Sequence, residues 1–75
     1  MFINELNMDT IAFSMVVGEW YTVQRVCFNV NERGYALTEG HCDHLLIAML
    51  GNNRVATLRL NVGRCSQVSI YKRLK

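Results

Sequence analysis

The chain contains no proline, and only five glycines punctuate its 75 residues. Without proline there is no stiff linker and no Pro-rich recognition tract. No Gly/Ser-rich or single-sign charged run marks an internal boundary either, so the sequence reads as one domain. No apolar run approaches the roughly 20 residues that cross a bilayer, so no membrane partner is expected. The first residues lack the basic stretch followed by an apolar core that marks a secretory leader. Three cysteines, Cys27, Cys42 and Cys65, are an odd number at unrelated spacings, which is not a secreted disulfide framework. Together these absences point to a reduced, cytoplasmic protein. Neither a Walker A loop nor a G-x-G-x-x-G turn occurs, so no glycine-rich phosphate cradle is present.

What is present is a folding composition: 51% hydrophobic and 19% charged residues, too apolar for a disordered chain. A core this small is marginal, because a short chain buries a smaller share of its surface than a long one. The net charge is +2. The acids gather early (Glu5, Asp9, Glu19, Glu32, Glu39, Asp43) and most basic residues late (Arg54, Arg59, Arg64, Lys72, Arg73, Lys75). The two ends therefore attract, within one chain or between two. Lys72, Arg73 and Lys75 could touch phosphates, but a nucleic-acid footprint needs basic residues gathered on one face, so that partner is the weaker reading.

Residues 2–6 alternate in the manner of an edge strand. Asp9 is suited to cap a helix, its carboxylate accepting an early backbone N–H. Ala12, Val16, Trp20, Val23, Cys27 and Val30 then recur at spacings of three and four, predicting one main N-terminal helix. Gly18 within it costs about 1 kcal/mol relative to alanine. A second reading stays open: Gly18-Glu19 as a two-residue hairpin turn between strands. Residues 31–43 read as a loop or a short second helix, with a turn at Arg33-Gly34. Residues 44–50 form an apolar run expected to be a strand, Gly51 to Asn53 a tight turn, and residues 54–62 the second strand of a hairpin. After Gly63-Arg64-Cys65, a third strand follows over residues 68–74, with Val68, Ile70 and Lys72 on one face and Ser69, Tyr71 and Arg73 on the other. The expected fold class is α+β, an antiparallel sheet of about four strands with one main helix. The alternative is an all-β, five-stranded small barrel. In either, the C-terminal strand is expected to be an open edge, a template for a homo-oligomer or a protein partner.

Chemistry-bearing residues are few. His41, Cys42 and His44 include two zinc-ligand types, but their spacing matches no specific framework and a structural zinc needs four ligands. The simpler reading is a polar segment leading into the next element. Cys42 beside two histidines also evokes a thiol nucleophile with its base, yet sequence neighbours seldom meet productively. Cys27 lies on the apolar stripe and reads as a small core residue.

The order of motifs carries more than any single residue. Arg25, Cys27, Phe28, Glu32 and Gly34 are followed by His44, Leu45, Leu46, Ile47, Gly51, Val55, Ala56, Thr57, Arg59 and Leu60. This run resembles the N-terminal half of the GNAT superfamily of N-acyltransferases, in the branch that includes acyl-homoserine-lactone synthases. The resemblance implies an antiparallel sheet flanked by helices, acetyl-CoA or acyl-CoA as donor and an amine acceptor. It places Trp20, Arg25, Phe28, Tyr35, Glu39 and Arg59 on the substrate-side wall. In the family a glycine-rich turn and helix then bind the pyrophosphate, whereas this sequence ends at Lys75 before any such turn. No cofactor is therefore expected for this chain alone; acetyl-CoA or acyl-CoA is expected if a second half completes it. The expected function is a half-domain without catalysis of its own, acting as a binding or interaction module. The alternatives are an acyltransferase portion active only with its other half or as an oligomer, and a small all-β inhibitor or regulatory protein of the kind mobile elements encode.

Overall fold

The computed structural model describes residues 5–75. Six elements follow in order: α1 (Glu5–Phe13), β1 (Trp20–Thr22), α2 (Val23–Glu32), α3 (Glu39–Gly51), β2 (Val55–Asn61) and β3 (Gln67–Arg73). The fold class is α+β. Among the described residues three strands form one open antiparallel sheet in the order β1-β3-β2. The edge strand expected over residues 2–6 lies largely outside the described residues, and Glu5 and Leu6 open α1.

Each helix is fixed by one repeated apolar spacing. Met8, Ile11, Ala12 and Met15 are buried on and just after α1, Val26, Cys27 and Val30 on α2 beside the half-buried Val23, and Cys42, Leu45, Leu46 and Met49 on α3. In each set the positions run i, i+3, i+4, i+7, which places them on one helical stripe. Threonines start two of the helices. The Thr22 side chain accepts from Arg25 N (3.1 Å) and that of Thr38 from His41 N (3.2 Å), each satisfying an otherwise unpaired first-turn donor.

The single N-terminal helix expected from Asp9 to Val30 is two helices and a strand. The Ser14 hydroxyl donates to Ile11 O (2.6 Å) and the chain leaves α1. Gly18 then adopts φ +87°, a left-handed conformation that glycine enters at no steric cost. Asp9 sits inside α1, not at its cap, and its carboxylate pairs with Arg54 (2.5 Å). The hairpin reading placed the turn at Gly18 correctly, but of the strand it expected over residues 20–30 only Trp20–Thr22 forms, and Val23 onward is helix α2. The first strand of that hairpin does not form, because residues 9–13 are helical.

The largest correction concerns residues 44–50. They belong to α3, so the expected hairpin with residues 54–62 is absent. Gly51 to Asn53 instead joins a helix to a strand, with Asn53 at φ 58°. A second correction concerns the C-terminal strand. It is not an edge: β3 is the middle strand, pairing with β1 through Trp20↔Lys72 to Thr22↔Ile70 and with β2 through Val55↔Arg73 to Asn61↔Gln67. The edges are β1 and β2.

Arg73 ties the sheet to α1. Its Nη1 donates to the carbonyls of Ala12 (3.0 Å) and Met15 (3.1 Å), and its guanidinium lies 5.9 Å from the Phe13 ring centroid. Asn31 fastens the α2–α3 connection by a reciprocal pair: Nδ2 donates to Leu37 O (3.0 Å) and Oδ1 accepts from Leu37 N (2.9 Å).

Candidate interaction surface

The inner face of the sheet meets the helices only at one end. Val55 and Tyr71 are buried there. Beyond them the β2–β3 hairpin stands off the helices across open hollows as an arm, and every residue from 57 to 67 is exposed. A two-stranded ribbon alone in water is marginal. This one also carries large apolar groups: Leu58, Leu60 and Val62 are 50%, 43% and 65% exposed. Strand pairing aligns Leu58 with Ile70 and Leu60 with Val68, and Trp20 and Lys72 are aligned at the β1 end. Cross-strand partners share a face, so the outer face of the sheet is an apolar strip with Lys72 over the Trp20 ring (5.0 Å from Nζ to the centroid).

The long edge of the arm is β2, whose hydrogen-bonding parity follows from its two ends. Leu74 N donates to Arg54 O (3.0 Å) and Val62 N to Ser66 O (3.1 Å). Antiparallel ladders alternate, so the even residues of β2 face β3. Val55, Thr57, Arg59 and Asn61 therefore direct their N–H and C=O groups to the open side.

Two adjoining hollows of about 290 and 390 Å³ lie between α3 and the inner face of the arm. Asp43 and Ser69 line both. The larger is walled by Ile47 and Leu50 of α3 and by Thr57, Arg59 and Tyr71 of the sheet. Burial first, then the Asp43 carboxylate, raises the Tyr71 phenol above its ordinary pKa.

The residues proposed from sequence as a substrate-side wall are spread over this body. Glu39 and Arg59 line the two adjoining hollows. Arg25 stacks on Phe28 (5.2 Å) along α2, Trp20 lies beneath Lys72 on β1, and Tyr35 is exposed in the α2–α3 connection. His41, Cys42 and His44 lie together at the start of α3 but face different surroundings. Cys42 is buried in the core and His44 is exposed, while the Nδ1 atom of His41 is buried without a hydrogen-bond partner. Among the described residues no cluster of three or more His, Cys, Asp or Glu is placed to hold a metal ion. The Leu-Leu segment after His44, part of the acyltransferase resemblance, lies on a helix. The two strands of the arm and the turn between them were expected from the alternation over residues 54–62 and 68–74; its exposure was not, because residues 44–50 were expected to pair with β2 as a further strand.

The cysteines divide by environment. Cys65 is exposed at the arm's tip, and Cys27 and Cys42 are buried. Burial, then the neighbouring Cys27, pushes the Cys42 thiol from 9.0 up to about 12. Above the ordinary thiol pKa the unfolded chain loses this proton and the native chain keeps it, so the native state binds more protons. Stability therefore falls as pH rises from about 9 towards 12. The urea midpoint is expected to decline over that range and to decline less in Cys42→Ala, where the raised Tyr71 phenol still contributes in the same direction. Equal slopes in the two proteins would remove Cys42 as the cause.

No known family, curated protein or solved structure matches this chain. No helix among the described residues is long and apolar enough to cross a membrane. The class that fold and surface define is a small α+β domain with an exposed β-arm carrying apolar side chains.

Proposed function

We propose that this chain is a protein-interaction module that assembles with a second copy of itself through the β2–β3 arm. The observation that carries the reading is the arm: residues 57–67 are exposed throughout, yet Leu58, Leu60 and Val62 stand on it. Apolar side chains grouped on one exposed element mark an interaction site more often than chance scatter does. A second copy suits the charges. Arg59 projects from β2, and Glu39 and Asp43 line the hollows beside it. A net charge of +2 leaves little repulsion between copies.

Sedimentation over a range of protein concentrations tests this directly. The expected result is a concentration-dependent dimer that Leu60→Lys converts to monomer, with the helical circular dichroism and melting of the body retained. A wild-type chain that stays monomeric at high micromolar concentration overturns the reading.

A further inference from the structure

We infer that the second copy joins edge to edge, β2 against β2, on a two-fold axis through Leu58, making one continuous six-stranded sheet. This rests on the self-association proposed above and specifies its geometry.

The free edge itself restricts the register. Only Val55, Thr57, Arg59 and Asn61 offer N–H and C=O groups outward, so an antiparallel partner must set odd residues against odd residues. Three symmetric registers satisfy this near the middle of the strand. An axis at Arg59 sets two guanidinium groups directly opposite, which is destabilising. An axis at Thr57 leaves Asn61 beyond the pairing and runs Leu60 against the partner's Arg54. An axis at Leu58 pairs all seven residues of β2: Val55 with the partner's Asn61, and Thr57 with the partner's Arg59, as hydrogen-bonded pairs. On the outer face Leu58 meets the partner's Leu58, and Ala56 meets the partner's Leu60, so the apolar side chains of the arm gain cover.

The inner face supplies a second, independent complement. Thr57 borders the hollow walled by Asp43, Ile47 and Leu50. In the Leu58 register the partner's Arg59 stands beside Thr57, one strand spacing away, about 4.8 Å. Its guanidinium enters the open side of that hollow. Among the described residues no cation lies within ion-pair distance of Asp43. By symmetry each copy gives one arginine and receives one, and the aliphatic stems cover Ile47 and Leu50.

Cysteine crosslinking in a Cys65→Ser background tests the register, because facing residues in a non-hydrogen-bonded pair approach closely enough for a disulfide. With oxidised glutathione, Leu58→Cys is expected to give a covalent dimer. Leu60→Cys is not, because Leu60 faces Ala56 and lies far from its own counterpart. Thr57→Pro removes an outward N–H that β3 does not use, and should weaken dimerisation by about tenfold or more with the fold retained. Arg59→Glu should weaken it as well, and Asp43→Lys should restore the Arg59→Glu dimer. A dimer that crosslinks through Leu60→Cys and not Leu58→Cys, or that ignores both Thr57→Pro and Arg59→Glu, overturns this geometry and leaves the interaction reading intact. A monomeric wild type overturns both.

Discussion

Leu46→Ala is expected to lower the unfolding free energy by about 2–5 kcal/mol, the range for deleting a fully buried leucine into a cavity that cannot collapse. Leu46 is fully buried on α3, the helix that packs against α1, α2 and β2 together. Few neighbours can move to fill the gap, because each is held by the same helix. Domains hold about 5–15 kcal/mol in total, and one of this size sits near the low end. The loss therefore approaches the whole stability. Urea titration followed by far-UV circular dichroism should show a midpoint shifted strongly downward, or no folded baseline. Ile47→Ala is the matched control: its side chain is 52% exposed on the same helix, and its cost should stay within about 1 kcal/mol. Equal losses for the two variants would mean that α3 does not present the face described.

Arg73→Ala should have the next largest effect, about 1.5–3 kcal/mol, the range for hydrogen bonds made by a charged group. One guanidinium nitrogen satisfies two carbonyls, Ala12 O and Met15 O, where α1 ends. Arg73→Lys should recover less than half, since an ammonium has no second nitrogen to donate to Lys75 O and no planar face to lay against Phe13. Hydrogen exchange adds a local readout. Amides from residue 12 to residue 18 should exchange faster in both variants, while those of α3 keep their relative protection. Unchanged exchange in that segment would mean that Arg73 does not anchor it.

The parts of the fold that were legible in the sequence are those where a single local rule acts. Alternation over residues 54–62 and 68–74 gives β2 and β3, including the division of β3 into a Val68/Ile70/Lys72 face and a Ser69/Tyr71/Arg73 face. Gly34 and Asn53 mark turns where φ is positive. The failures have a common cause. In residues 44–50 the string Leu-Leu-Ile-Ala-Met-Leu is apolar almost throughout, so its strand and helix patterns coincide. Only Cys42, upstream of that run, shows that the buried spacing is 42, 45, 46, 49 and hence helical. In residues 8–30 two helical stripes, 8-11-12-15 and 23-26-27-30, fall nearly in phase and imitate one long helix across a strand. The central place of β3 is a pairing between residues some fifty positions apart, which no local pattern encodes. For the surface, Glu39 and Arg59 were expected on a common wall and line two separate, adjoining hollows, whereas the exposure of the arm depends on how far the helices cover the sheet.

The central position of β3 also dictates when the molecule can take shape during its own synthesis. β1 and β2 each pair only with β3, and β3 is the last of the described elements to be translated. Until it emerges from the ribosome, the earlier strands have no ladder to join, although α3 can already pack on α1 and α2. The sheet, unlike early segments that settle as they appear, can form only once β3 has been made. A stalled product lacking residues 67–73 would leave β1 and β2 without their partner strand, a natural substrate for chaperones and proteases.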